Sequence, residues 1–334
     1  RDDTEGHFKG RAGEILGDNF VMGEDVGTGT FGRVAECWDR KKSRSVAVKI
    51  VRKVRKYYES AQIEADILRD VNKRGGAGLD LCVKMYDSFN HHGHYCLVFE
   101  KLGSSLYDLM VTNNYKGLPL YCVRSFSLQL LQAMEFLHSI DLIHTDLKLE
   151  NVLLVSGALA QLVLPDGATM KVPVTTRVKV IDFGGATYSD EQKGSIINTR
   201  QYRGPEVTLG MGWSFPSDLW SVGCIVAELY LGDLLFATHN STEHLALMER
   251  IIGPFPKHMA QSSKASKFFT SNGQTRWKED CDRDMQRHLI APPDGGADTE
   301  ESSVKQLASL LRRLLALDPR ERVTAKGALR HDFF

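Results

Sequence analysis

Several short stretches of this 334-residue chain concentrate residues suited to handling phosphate. Gly27-Thr28-Gly29-Thr30-Phe31-Gly32-Arg33-Val34 spaces its glycines so that backbone N–H groups can close over phosphate oxygens, where a Cβ would obstruct them. A dinucleotide loop has the same glycines but needs a helix directly after them. Here Val34–Trp38 and Ser45–Val51 continue as strands, so the loop bridges a hairpin; on spacing alone an ordinary turn stays open. Val46-Ala47-Val48-Lys49 puts a lysine in a β-rich run, fifteen positions before Glu64 in a helical stretch. A lysine in a buried strand needs a carboxylate partner. In that arrangement Lys49 holds phosphate and Glu64 holds Lys49. The plainer alternative is an edge-strand lysine and a surface glutamate.

A second group lies further along. In His144-Thr145-Asp146-Leu147-Lys148-Leu149-Glu150-Asn151 an Asp and an Asn, four residues between them, can serve one site from a tight loop. Asp146 would orient an acceptor hydroxyl and receive its proton, Lys148 would neutralise the transferring group, and Asn151 would ligate a metal. A polar surface loop is the alternative. Asp182-Phe183-Gly184 follows the strand-like Arg177–Ile181, which suits an aspartate that binds Mg²⁺ across two phosphates. Gly204-Pro205-Glu206 closes the next segment, and a buried Glu206–Arg322 pair would tie distant parts together. Order and spacing decide between these readings. Gly27–Gly32, Lys49, Glu64, Asp146, Asn151, Asp182 and Glu206 together reproduce the protein-kinase signature set.

Composition fits an enzyme of two lobes. Lys+Arg and Asp+Glu number 42 each, so net charge gives no general attraction to nucleic acid or an anionic membrane. At 42% hydrophobic and 25% charged residues the chain is neither disordered nor fibrous. Apolar runs such as Val222–Ala227 are far short of the roughly 20 residues a membrane span needs. Six cysteines without a C-x-x-C pair read as single thiols in a reducing compartment. The opening Arg1-Asp2-Asp3, without Met, suggests a piece of a longer polypeptide.

The elements that must position these residues follow from periodicity. Strands are expected at Phe20–Met22, Val34–Trp38, Ser45–Val51, Cys82–Tyr86 and Tyr95–Phe99, with one helix carrying Ala61, Ala65 and Leu68. His91, His92 and His94 fall in a turn, and zinc binding there is disfavoured. Long helices are expected at Tyr121–Ser139, Asp218–Leu231, Thr242–Ile252 and Ser302–Leu317. Gln161–Pro173 alternates around Pro165-Asp166-Gly167 as an inserted hairpin. Glu279–Asp284 and Pro292–Glu301 read as polar surface loops, and the basic run Arg52–Lys56 as a solvated loop. The fold class is α+β and bilobal: a small β-rich N-lobe over 1–101, and a larger α-helical C-lobe with the inserted hairpin over 102–334.

The chain resembles eukaryotic protein kinases, and within them the LAMMER or CDC-like kinases. Glu243–Arg250 differs at one position from the EHLAMMER sequence of that family, and a structural role is inferred for it. His144-Thr145-Asp146, Asn198–Arg203 and Glu5-Gly6-His7 look like the same branch, over essentially the whole chain. The resemblance implies ATP and Mg²⁺ as cofactors, with metal at Asn151 and Asp182. It implies a nucleotide site of Gly27, Gly29, Gly32, Val34, Ala47, Lys49, Leu153 and Asp182, a gatekeeper Phe99, hinge residues Glu100 and Leu102, and ribose-side Ser105 and Asp108. Asp218 matches the residue that holds the catalytic loop's backbone. Departures are Thr145 for the usual arginine, Leu149 for Pro, Gly204 for Ala, and a polar Lys101 in the hinge; Leu149 hints at a member distant from the animal enzymes, such as a protist's. Thr145 implies an activation segment ordered without phosphate, which weighs against Thr199 and Ser195 as phosphosites.

The function implied is a serine/threonine kinase, dual specificity included, that transfers the ATP γ-phosphate to Arg/Ser-rich nuclear proteins such as splicing factors. Glu150, Asp190 and Glu191 are candidate carboxylates for arginine, against a merely solvated acidic face. No direct nucleic-acid or membrane partner is expected, and the catalytic domain reads as monomeric; the resemblance implies the nucleus, with the cytoplasm as alternative. Rival readings are a LAMMER-type kinase of chromosome-segregation or cell-cycle substrates, a proline-directed relative, and a pseudokinase scaffold. The last would lack one of Lys49, Asp146 or Asp182, and all three are present.

Overall fold

Alternation along the first hundred residues builds one antiparallel sheet. It comprises Ile15–Leu16 (β1), Phe20–Gly29 (β2), Gly32–Asp39 (β3), Arg44–Val51 (β4), Met85–His91 (β5) and His94–Glu100 (β6), in the spatial order β1-β2-β3-β4-β6-β5. The computed structural model describes residues 2–76, 78–165, 167–191, 194–262, 264–277 and 299–334, without the side chains of 299–301. In β4, Val46, Val48 and Ile50 are buried in a core with Phe20, Met22, Cys96 and Val98. The pleat therefore turns Ala47 and Lys49 to the opposite face. Helix α1 (Arg55–Lys73) buries Ala61, Glu64, Ala65, Leu68 and Val71, a stripe of helical period that aims Glu64 at that face.

One expected strand is displaced. The segment Cys82–Tyr86 is a strand only from Met85, and β5 runs on through His91, so His91 and His94 are the last paired residues of the β5–β6 ladder. Only His92 and Gly93 turn the chain, at φ 51° and 89°, as a two-residue hairpin demands. Both paired histidines sit edge-on to Phe8, with centroids 5.3 and 5.2 Å away. Burial by an N-terminal residue more than eighty positions away leaves no local trace, so the polar run reads as a turn.

The rest is mainly helical. Helices are α2 (Leu106–Thr112), α3 (Leu120–Ser139), α4 (Pro205–Thr208), α5 (Pro216–Leu231), α6 (Ser241–Ile252), α7 (Lys257–Ala260), α8 (Thr299–Leu314) and α9 (Ala325–Ala328). Short pairs stitch the loops: β7 (Leu142–Ile143) with β12 (Thr187–Tyr188), and β8 (Val152–Leu154) with β11 (Val178–Val180). The hairpin pairs β9 (Leu159–Val163) with β10 (Thr169–Pro173); its tip residue Asp166 lies outside the described residues. The expected loop over 279–284, with Cys281, and residues 292–298 of the expected loop Pro292–Glu301 also lie outside them, whereas residues 299–301 of that loop are the first of helix α8. Helix α5 is mostly apolar on every side and almost wholly buried, with Asp218 and Glu228 as its two carboxylates, and ends at Gly232 in the left-handed conformation (φ 80°). Helix α8 stops at Leu314, three residues before the expected end, although Leu315 and Leu317 remain buried. Their apolarity serves the core and not the helix. No helix among the described residues is long and apolar enough to cross a membrane.

Candidate active site

The cleft between the sheet and the helices has a volume of about 240 Å³ and is lined by Val26, Val34, Ala47, Lys49, Phe99, Glu100, Leu102, Asn151, Leu153 and Asp182, among others. From its β4 wall, Lys49 Nζ donates to both Glu64 oxygens, at 3.0 and 2.8 Å, and lies 3.6 Å from Asp182 Oδ1. The edge-strand alternative is thereby removed. Burial pulls Lys49 down, but Glu64 and Asp182 outweigh it and hold the ammonium above its ordinary range. Glu64 is pushed up by burial, with Asp182 adding to the rise and Lys49 opposing it. Two carboxylates share one cation, so the cluster carries surplus negative charge on hard oxygen donors.

The loop that follows α3 is held from beneath by Asp218 on α5. Its carboxylate, fully buried, accepts from the backbone N–H of His144 (2.9 Å) and Thr145 (3.0 Å), and its Oδ2 pairs with His138 Nε2 (3.0 Å). Burial opposes the charge, yet those donors keep Asp218 below the usual carboxylate range. Thr145 stands at φ 72°, a strained conformation for a β-branched residue. Its hydroxyl donates to the Gly185 carbonyl (2.7 Å), and its own carbonyl accepts from Asn198 N and Nδ2 (3.0 and 2.8 Å). These bonds fasten the loop to the following segment through Thr145 itself.

Asp146 is thereby presented to a hollow that adjoins the cleft and shares Lys49, Glu64 and Asp182 with it. Lys148 Nζ donates to its Oδ2 (2.9 Å), Thr199 N and Oγ1 donate to its Oδ1 (3.1 and 2.9 Å), and Asn151 Nδ2 donates to its carbonyl (2.8 Å). Burial alone would raise Asp146, but Lys148 and Thr199 outweigh it and hold it below the usual range. Thr199, considered as a phosphosite, has its hydroxyl committed to Asp146, with Lys148 Nζ 3.2 Å away. Asp182 takes the left-handed conformation (φ 63°) as it leaves β11, and Phe183 is buried edge-on to His144.

The glycines differ in what constrains them. A Cβ on Gly32 would lie 2.3 Å from the Ile50 carbonyl of β4, so the sheet itself requires glycine there. On Gly27 and Gly29 it would meet no protein atom within 4 Å, so packing demands neither. Glu100 is engaged as a strut: its Oε1 accepts from Lys179 Nζ (2.6 Å) and Lys84 N (2.8 Å). Ser105 and Asp108 lie outside the cleft lining and form the reciprocal cap of α2.

Sequence reasoning missed an acidic hollow beside Asp146. Tyr107, Tyr115, Glu150, Thr199, Tyr202, Glu228 and Asp233 are among its lining residues. Glu228 projects from the last turn of α5, accepts from Tyr202 Oη (2.6 Å), and is pushed up to about 7 by burial, with Glu150 and Asp233 adding to the rise. Its signal was a lone carboxylate in the apolar run Ile225–Leu229. Of the carboxylates named from sequence, Glu150 lies here; Asp190 and Glu191 do not, and Glu191 accepts from Tyr188 N (3.2 Å). The octapeptide on α6 packs inward through His244, Leu245, Leu247 and Met248. His244 is pulled down to about 4 by burial, so its neutral ring donates Nε2–H to the Arg203 carbonyl (2.9 Å) and accepts at Nδ1 from Thr238 (3.0 Å).

Comparison with known proteins gives a consistent picture. The protein kinase domain family matches residues 20–334. Serine/threonine-protein kinase AFC2 of Arabidopsis thaliana is 42% identical over all of this chain and 81% of its own length. Dual specificity protein kinase CLK2 of Homo sapiens is 40% identical over all of this chain and 67% of its own. A crystal structure of a kinase domain superposes with a TM-score of 0.85 at 36% identity, covering 98% of each chain.

Proposed function

The chain belongs to the protein kinase family, in its LAMMER or CDC-like branch, and from that premise we propose that Asp146, Lys148, Lys49, Asn151 and Asp182 carry phosphotransfer to arginine-rich protein substrates. It is an ATP-dependent protein serine/threonine kinase. Bound with Mg²⁺, ATP supplies the γ-phosphoryl group and a neutralised leaving group. The residues' task is then position and charge. Lys49, kept protonated between Glu64 and Asp182, is the residue that would hold the α- and β-phosphates. Asn151 and Asp182 offer the oxygen ligands a hard cation prefers. Gly27 and Gly29 leave room for phosphate against the backbone, while Val34, Ala47 and Leu153 would enclose the base beside Phe99 and the hinge at Glu100 and Leu102.

Asp146 orients the acceptor hydroxyl and takes its proton. A carboxylate held below its usual range is a weak base, so its contribution is chiefly alignment, with the proton transferred late. Lys148 offsets the negative charge that would otherwise repel phosphate.

The observation that carries the substrate class is the hollow lined by Glu150, Glu228 and Asp233 next to Thr199 and Asp146. Carboxylates flanked by tyrosines suit a guanidinium, which bonds bidentately and stacks on aromatic rings. Arg/Ser-rich proteins fit that chemistry, and a nuclear location accompanies the substrate. The test is phosphotransfer to an Arg-Ser repeat peptide against a Ser-Pro peptide of equal length. We expect kcat/KM to favour the first by about 10-fold or more, and the preference to vanish in E150Q/E228Q. Equal rates on both peptides would overturn the substrate class and leave the kinase assignment intact.

A further inference from the structure

The turn between β2 and β3 is held by Arg52, which lies outside the lining of the cleft and of the adjoining hollow that Phe31 and Tyr57 share with Lys49, Asp146 and Asp182. Its tip residue Phe31 is 56% exposed and rests edge-on against Tyr57 of α1, centroids 5.4 Å apart. Arg52, the first residue after β4, grips the same tip. Its backbone N–H donates to the Phe31 carbonyl (3.0 Å) and its Nη1 to the Thr30 carbonyl (3.0 Å). The rest of the guanidinium faces the other way: Nε and Nη2 donate to the Glu5 carbonyl at 2.9 and 2.6 Å, and Nη2 lies 3.6 Å from the Glu5 carboxylate. The side chain is 15% exposed and lies over the Tyr57 ring at 5.4 Å.

The segment that Arg52 reaches is itself anchored. Lys53 N donates to the Gly6 carbonyl (2.8 Å), Arg33 Nη1 to the carbonyls of Phe8 and Gly10 (3.0 and 2.9 Å), and buried His94 bonds Asp2 through Nε2 (3.0 Å). Residues 2–10 thus form a strap fixed to β3, to β6 and to the link into α1. A glycine-rich tip left to itself is conformationally loose, and ordering it falls to the ligand.

We propose that Arg52 is a positioning residue for the nucleotide, coupling the N-terminal strap to the glycine-rich tip. Nucleotide affinity then depends on residues 2–10, which lie outside the cleft lining. The fork is essential: a lysine ammonium offers no planar fork to span two carbonyls on different segments. The inference rests on the reading of Gly27–Gly32 as the phosphate-binding loop.

The full chain is compared with R52A, R52K, G29A, a form lacking residues 2–9, and that deletion combined with R52A. R52A should raise KM for ATP about 10-fold with kcat within about 3-fold, and R52K should restore only part of the loss. In the nucleotide-free protein, amide hydrogen exchange over residues 27–33 should quicken in R52A and R52K. Adding R52A to the deletion should raise KM no further, because both break one link. Unchanged KM and exchange in R52A, or effects that multiply in the combined variant, overturn the proposal. If R52A does not fold, R52K and its exchange decide. A G29A enzyme with normal KM would fault the loop reading instead, whereas raised KM in G29A with normal KM in R52A sinks only the role of Arg52.

Discussion

Asp146 is pulled in opposite directions by its surroundings: burial favours the neutral acid, and the Lys148 ammonium with two donors from Thr199 favours the anion and prevails. Replacement by asparagine keeps size and most hydrogen bonds but removes the charge that aligns and deprotonates the acceptor. D146N should therefore retain KM for ATP within a few-fold and lose turnover by about 10² or more in a radiolabel-transfer assay. Near-normal turnover would remove Asp146 from its role. Glu228 supports a pH prediction of opposite character. Raised to about 7, it is neutral below that pH and charged above it, so arginine recognition should strengthen as pH rises through neutrality. The groups facing it are Tyr202, which donates to it, and the carboxylates of Glu150 and Asp233, which resist its ionisation. Steady-state KM for an arginine-rich peptide should fall several-fold between about pH 6 and 8, and E228Q should flatten the profile. A wild-type profile as flat as that of the variant would exclude Glu228 from substrate contact.

Elements translate these residues into a site, and the β2–β3 turn shows how differently neighbouring glycines depend on the fold. At Gly32, two positions along the ladder from the Val34–Lys49 pair, a methyl group would strike the Ile50 carbonyl on β4. G32A should thus cost about 1–3 kcal/mol of stability by pushing β3 from β4. G29A meets no protein atom, so it should change stability by less than about 0.5 kcal/mol and act on KM for ATP. Chemical denaturation of the two variants checks this, and equal losses would refute it. Much of this level was legible in the sequence, because strand alternation and a 3.6-residue stripe are local signals. The long helices, the hairpin and the Lys49–Glu64 spacing emerge from such patterns. Where they failed, the cause was a distant partner. His91 and His94 become strand residues because Phe8 covers them, and Glu228 becomes a pocket carboxylate because the chain returns past it with Tyr202 and Glu150. Ser105 and Asp108 matched a family position, yet S-x-x-D is equally a helix cap, and the cap is what their side chains form.

On the scale of the whole molecule, the catalytic loop, the segment after Asp182 and the C-terminal end must keep one mutual arrangement, although their covalent links are long. The buried pair Glu206–Arg322 performs that coupling. Arg322 donates Nη1 and Nη2 to the two Glu206 oxygens (2.7 and 3.0 Å), Nη1 also to the Pro216 carbonyl (2.8 Å) and Nε to the Ala316 carbonyl (3.0 Å), and its guanidinium lies over Trp220 at 5.0 Å. Both side chains are almost completely removed from water. For such a pair the attraction roughly offsets desolvation, so its net contribution to stability is small, but either partner alone is an uncompensated buried charge. E206A and R322A should each destabilise by about 3–5 kcal/mol in denaturant titration, whereas replacing both by apolar residues of similar volume should cost far less than the sum. The singles should also lower turnover more than ATP affinity, because α4 closes the segment that delivers Thr199 to Asp146, while the nucleotide cleft draws on other elements. Additive losses in the double variant, or singles as stable as the parent, would show that packing around Trp220 and Leu219 holds these parts together without the charge pair.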